Sequence, residues 1–120
     1  MRAGLLRHRV TVQARKAGYD GAGQPTDEWV DVTPAWARVE PLRGGQLFSA
    51  REAGMEATHR VTLRWTPKLR VDGRWQVDRI VHGGRHLYPE APPMEDEEGR
   101  ERVEVLVTER TDPTEEEPES

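Results

Sequence analysis

The stretch from residue 36 to residue 65 limits what this chain can become more than any other. It reads W-A-R-V-E-P-L-R-G-G-Q-L-F-S-A-R-E-A-G-M-E-A-T-H-R-V-T-L-R-W. Ala35, Ala37 and Val39 alternate with Trp36, Arg38 and Glu40, the period of a half-buried strand. Pro41 and the pair Gly44 and Gly45 stop that strand. Residues 46–53 hold Leu47, Phe48, Ala50 and Arg51 with no proline, and predict a short helix. Leu47 and Phe48, with Arg51 one turn on, give it an apolar edge. Gly54 ends it, in a position where glycine is favoured. Val61, Leu63 and Trp65 then alternate with Arg60, Thr62 and Arg64, so a second strand begins near Glu56.

The remaining segments read as strands and turns. Val10, Val12 and Ala14 alternate with Arg9, Thr11 and Gln13, a strand over 7–14 with one wet face. Residues 18–25 contain three glycines and Pro25, which predicts a loop at a hairpin tip. A second strand covers 26–32, and Thr33 with Pro34 reads as a turn before the third. Thr66 and Pro67 break the fourth strand. Asp72-Gly73 is a hairpin signal between strands over 68–71 and 74–81. Gly83 and Gly84 make another turn, and residues 86–88 form a short strand. Pro89, Pro92 and Pro93 then oppose regular pairing in a proline-rich insertion that runs to about Gly99. Val103, Val105 and Val107 face inward on the last strand, 101–108. The fold class is therefore mainly β: a small β-barrel or rolled antiparallel sheet, with one short helix inserted between strands three and four. Each strand has one apolar side, and closure buries that side and removes open edges.

Composition narrows the possibilities. One hundred and twenty residues suit a single domain, and the 34% hydrophobic content suits a small core or a protein completed by neighbours. Cysteine is absent, which excludes disulfides and thiolate chemistry. No apolar run approaches the length that spans a bilayer, and residues 1–9 are too short in apolar content for a secretory signal, so the expected location is the cytoplasm of synthesis. The net charge of -4 conceals a division. Residues 111–120 carry five acids and no base; the rest holds 18 bases against 17 acids. This divides the chain into a domain over 1–110 and an acidic tail over 111–120 that has nothing to bury and reads as disordered. Sixteen of the bases are arginines, a side chain suited to bidentate contact with carboxylates at interfaces.

Constellations for chemistry are weak. His82 and His86 stand four apart, but Gly83 and Gly84 between them exclude the helix that would bring them together. The acidic run 95–98 lacks the alternation and central glycine of a calcium loop. The paired glycines sit outside any phosphate-cradling pattern, and Ser49 has no nucleophile elbow around it. No catalytic, cofactor-binding or metal-binding residue is assigned. Single-strand nucleic-acid binding is the stronger rival, because small barrels use basic grooves and stacked aromatics. The near-neutral body and acidic tail argue against it. Trp65 shares the face of Val61 and Leu63 and reads as core; Trp36 lies opposite Ala35 and Ala37 and reads as an exposed interface residue.

Four pieces in order, R-H-R-V-T-V-Q, W-A-R-V-E-P-L-R-G, a short helix and T-H-R-V-T-L-R-W, resemble the phage head–tail joining proteins, also called head–tail adaptors, stoppers or head-closure proteins. The resemblance covers roughly residues 5–109. It implies a structural subunit, not an enzyme, that forms a homo-oligomeric ring in the virion neck after assembly in the host cytoplasm. Its implied partners are the portal or adaptor protein and the tail terminator or tail tube protein. Genome DNA passes through the channel without being read, and no membrane or cofactor is involved. A tail-completion (terminator) protein of the same particle is the nearest alternative. Trp36, Glu40, Arg43, Leu47, Phe48, Arg51 and Glu52 are the candidate interface residues, with the four charged ones pairing across subunits. Ordinary surface charge is the competing reading for them.

Truncation after Arg110 is expected to leave the melting temperature of the subunit nearly unchanged, since the removed segment offers nothing to bury. A loss of several degrees in a thermal melt would show instead that the segment packs on its own domain.

Overall fold

In the computed structural model, residues 6–95 and 101–110 are described. The strands are β1 (His8–Tyr19), β2 (Pro25–Pro41), β3 (His59–Arg64), β4 (Arg70–Val71), β5 (Arg74–Trp75), β6 (Arg79–His82), β7 (Arg85–Pro89), β8 (Met94–Glu95) and β9 (Arg102–Arg110). The helix α1 (Gly44–Glu52) lies between β2 and β3. The main sheet is antiparallel in the order β3-β2-β1-β6-β7-β9-β8, and β9 also pairs with β3. The strands thus close into a ring. It is not a regular barrel: β1 meets β6 over three residue pairs, whereas β1 meets β2 over twelve.

The alternation in the sequence becomes the inside of the ring. Val10 and Val12 of β1, Ala37 of β2, Val61 and Leu63 of β3, Ile80 of β6, Leu87 of β7 and Val103, Val105 and Val107 of β9 form one buried cluster. β-branched residues dominate it, as suits a pleated, half-buried surface. Leu69 and Val77 join the cluster. Trp65 and Trp75 pack against it edge to face, with ring centroids 6.2 Å apart, so Trp65 lines the core without being enclosed by it.

Three expectations need correction. The turn expected at Thr33 and Pro34 is absent, and residues 25–41 form one strand. The chain absorbs the irregularity as a bulge: Thr33 faces Val12 and Asp31 faces Gln13, leaving Val32 unopposed. Pro34 is tolerated because β3 joins β2 only from Ala37 onward, so at Pro34 one strand edge has no ladder to supply. The helix therefore sits between the second and third strands. The loop expected over 18–25 shrinks, because β1 and β2 pair out to Tyr19 and Pro25. Asp20 closes the tip: its Oδ1 accepts the backbone N–H groups of Ala22 and Gln24, each at 2.9 Å, while Gly23 takes φ 84°. Finally, the strands expected over 68–71 and 74–81 are interrupted. Pro67–Leu69 is a 3-10 turn whose Thr66 hydroxyl accepts the Lys68 N–H, and the N–H groups of Gln76 and Asp78 donate instead to the carbonyls of Leu69 and Gln13.

Other features follow the sequence closely. Asp72 and Gly73 carry φ 51° and 77° in the β4–β5 hairpin. The proline-rich stretch, by contrast, does pair, against expectation: Pro89 lies opposite Val107 at the end of β7, the Glu90 N–H donates to the Leu106 carbonyl at 2.8 Å, and β8 pairs Met94 with Glu104. Residues 96–99 of the expected insertion and the tail 111–120 lie outside the described residues.

Leu63→Ala should cost about 2–5 kcal/mol in urea denaturation, because the side chain is fully enclosed at the β3–β9 junction. A cost below about 1 kcal/mol would mean that the ring collapses to fill the void.

Candidate assembly interface

The helical excursion is fastened to the outside of the sheet. Chain direction changes at Leu42, whose N–H bonds to the Thr58 carbonyl at 2.9 Å. Gly44 then takes φ 53° and opens α1. Gly54 at φ 80° closes it, as expected, and Met55 donates back to the Ala50 carbonyl at 2.9 Å. Leu42, Ala50 and Ala57 are buried together, with Leu47, Met55 and the outward-facing Leu106 of β9 against them. Arg51 pins the exit: its Nη1 donates to the carbonyls of Met55 at 3.0 Å and Ala57 at 2.8 Å. A nine-residue helix is not stable alone, so these contacts hold it.

Of the expected anchors, Leu47 packs inward and Phe48 does not: Phe48 is 64% exposed. The residue that fills the inner face is Ala50, whose small side chain lets the helix approach. A 3.6-residue period places Leu47 and Ala50 on one side and Phe48 on another, and the apolar character of Phe48 masked that choice. Between α1 and β9 lies a groove of about 250 Å³ lined by Leu42, Ala50, Met55, Met94 and Leu106, with Met94 exposed at its edge.

The charged candidates divide in two. Glu40 is used within the subunit, by Arg38 at 3.1 Å and Arg60 at 3.1 Å. Arg51 is used in the clasp just described. Arg43 and Glu52 are exposed, and their side chains make no ion pair among the described residues. Trp36 is 50% exposed on the outer face of β2, with the Arg9 guanidinium 5.2 Å from its ring centroid.

One feature escaped the sequence reading. Arg79 is 5% exposed. Its Nε donates to Gln13 Oε1 at 2.9 Å, its Nη1 to the Tyr88 hydroxyl at 3.3 Å, and its guanidinium lies 4.0 Å from the Trp29 ring centroid. Arg15 lies over Trp29 and Arg110 over Tyr88. Arg79 lies on the outer side of β6, opposite to Ile80, which faces the core. Nothing local in the sequence reveals that Trp29 covers it from β2.

His82 sits against His8, ring centroids 4.7 Å apart, while His86 pairs with Val81 in the β6–β7 hairpin. Among the described residues no three His, Asp or Glu side chains gather as a metal-binding group. Arg85 instead clamps Glu109 with two bonds, at 2.8 and 2.9 Å, and His59 lies 3.9 Å from the same carboxylate. The hydrogen bonds from Arg85 hold Glu109 below the usual carboxylate range. Burial pushes His59 and His82 below the ordinary imidazole value. Of the acidic run, Glu95 pairs with Arg70 at 3.2 Å, and residues 96–98 lie outside the described residues.

Comparison with known proteins agrees with this architecture. Residues 1–110 match the family described as "Phage head completion protein". "Head completion protein gp7" of Enterobacteria phage HK97 is 29% identical over 106 residues, covering 88% of this chain and 94% of the relative. The solution structure of protein SF1141 from Shigella flexneri 2a superimposes with TM-score 0.63 at 29% identity, over 91% of this chain and 96% of that one. A chain in the virion of a native gene transfer agent particle shares the fold, with TM-score 0.55 at 16% identity, over 89% and 97% of the two chains.

The helix geometry predicts opposite outcomes for two substitutions. Phe48→Ala should change stability by less than about 0.5 kcal/mol, since the ring is exposed. Arg51→Ala should cost about 1–2 kcal/mol by freeing two carbonyls. Urea denaturation separates them; a loss of several kcal/mol for Phe48→Ala would place its ring in the folded core.

Proposed function

The chain belongs to the phage head completion protein family, a structural part of the head–tail connector, and from that premise we propose how it carries out the joining. Copies assemble as a ring in the neck of the virion. One side of the ring rests on the portal or adaptor of the filled head, and the other receives the tail terminator or tail tube. The ring closes the exit channel, and the genome passes through it without its sequence being read. Joining proceeds by binding alone, with no catalytic step, after the subunit has folded in the host cytoplasm.

The observation that carries this reading is the span of the family match, which takes in every described strand and α1. The structure supports it with a division of labour. A closed ring of strands makes a rigid body, and the parts left outside it present contact groups. Trp36, Arg43, Phe48 and Glu52 are the proposed contacts, each exposed. Glu40, Leu47 and Arg51 hold the segments that carry them. Trp and Arg are the side chains that most often dominate interface energetics. Many weak contacts repeated around a ring add up to firm attachment without a large apolar face on the free subunit.

A phage lacking this chain should still build tails and fill heads, and the two should fail to join. Purified protein added to such an extract should restore infectivity. Electron microscopy of the deletion lysate is the test: normally tailed particles, or heads that never fill, would overturn the joining role.

A further inference from the structure

The outer face of the ring carries a row of exposed side chains, three of them arginines. Arg9 of β1 stands opposite Trp36 of β2, and Arg64 of β3 stands opposite Arg102 of β9. The β2–β3 ladder begins at Ala37 and Leu63, so Trp36 and Arg64 are the next step of the same register. Arg9, Trp36, Arg64 and Arg102 therefore form one row across four adjacent strands, and all four are exposed. Two arginines directly opposed on neighbouring strands repel each other. Neither Arg64 nor Arg102 has a side-chain ion-pair partner among the described residues. Glu40 nearby is engaged by Arg38 and Arg60, and Glu104 lies one outward step further along β9 from Arg102. The row is a cationic strip around a half-exposed indole, and no ion pair neutralises Arg64 or Arg102 among the described residues.

We propose that this row receives the acidic segment 111–120 of a second copy. The segment T-D-P-T-E-E-E-P-E-S has five carboxylates, no base, and two prolines. Its alternate residues Glu115, Glu117 and Glu119 span about 13 Å when extended, and the row spans about 14 Å across its three strand spacings. Pro113 and Pro118 suit contact with an exposed indole, as proline-rich segments do in aromatic grooves. That indole favours a peptide over duplex DNA, whose bases are stacked inside and offer it no face.

Reach decides between the chain's own tail and a neighbour's. The segment leaves β9 at Arg110, while the row lies at the Arg102 end, about 26 Å away along the strand. Glu115 is five residues beyond Arg110 and reaches at most about 18 Å. Along this path a subunit's own segment brings only its later acids to the near end of the row, whereas the segment of a second copy can lay Glu115, Glu117 and Glu119 across all of it, so the contact joins two copies. The proposal rests on the joining role for its place in the virion, where it supplies the link between ring neighbours.

The test is fluorescence anisotropy of a labelled peptide of sequence 111–120 titrated with the full-length chain at low and moderate salt. Saturable binding that weakens with salt is expected. The double variant Arg64→Glu/Arg102→Glu should weaken it roughly tenfold. That variant replaces one like-charged pair with another, so folding should persist, and Arg64→Gln/Arg102→Gln provides a second, uncharged comparison. A peptide with lysine at each glutamate should bind the reversed variant in preference to the original chain. Absence of peptide binding, or equal binding by the reversed variant, overturns the proposal. So does a short DNA duplex that binds through these arginines while the peptide does not. The readout is independent of virion assembly: peptide binding without restored joining would remove the joining role and leave this contact standing.

Discussion

The pairing of β3 with β9 is the contact on which the rest of the structure depends. Six residue pairs join residues 59–64 to residues 102–107, 38 to 48 positions apart in sequence. Without them β2–β3 and β7–β9 would end as open edges, ready to pair with other chains. With them Val61, Leu63, Val103, Val105 and Val107 lie side by side on the inner face of the closed ring and leave water completely. The same pairing places Leu106 outward, beneath α1, and so gives the helix its seat. It also forces Arg64 against Arg102 on the outer side, a repulsion that closure of the core outweighs.

Closure leaves specific material outside. Beyond Gln13 on β1 and before Ala37 on β2, the long hairpin has no further strand beside it among the described residues. Two-stranded ribbons are marginal alone. This one is held where it meets the body, by Trp29 over Arg79 and by the Asp78 carboxylate accepting the Arg15 N–H at 2.9 Å. The helical excursion is the second protrusion, clasped by Arg51. For a subunit that works by contact, rigid bases under exposed tips are the useful arrangement, since they limit the ordering cost of association.

Arginine serves three distinct purposes in this chain. Arg79 is buried, and hydrogen bonds and an aromatic face replace the water it gave up. Arg51 and Arg85 act as clamps on carbonyls and a carboxylate. Arg43, Arg64 and Arg102 remain exposed to solvent. A composition count cannot separate these groups, because the planar fork suits all three environments.

Much of the strand pattern was legible in the sequence because a half-buried strand imposes a period of two whatever its neighbours are. Residues 10, 12, 61, 63, 103, 105 and 107 could all be assigned inward on that ground, and Gly54 and Asp72-Gly73 were readable because backbone angles alone demand them. The exposure of Trp36 followed from the same alternation. What the tertiary structure decided were matters of partnership. Pro34 looked like a turn, yet it is accommodated within β2 because β3 arrives three residues later. Phe48 looked like the anchor of α1, but Ala50 fits the close approach to Leu42 and Ala57. Arg79 lies on the outer side of β6, yet Trp29, fifty residues earlier in sequence, covers it. Period and turn chemistry are local and belong to the sequence alone; which strand lies beside which, and so which outward residue is covered, depends on long-range pairing that no local pattern encodes.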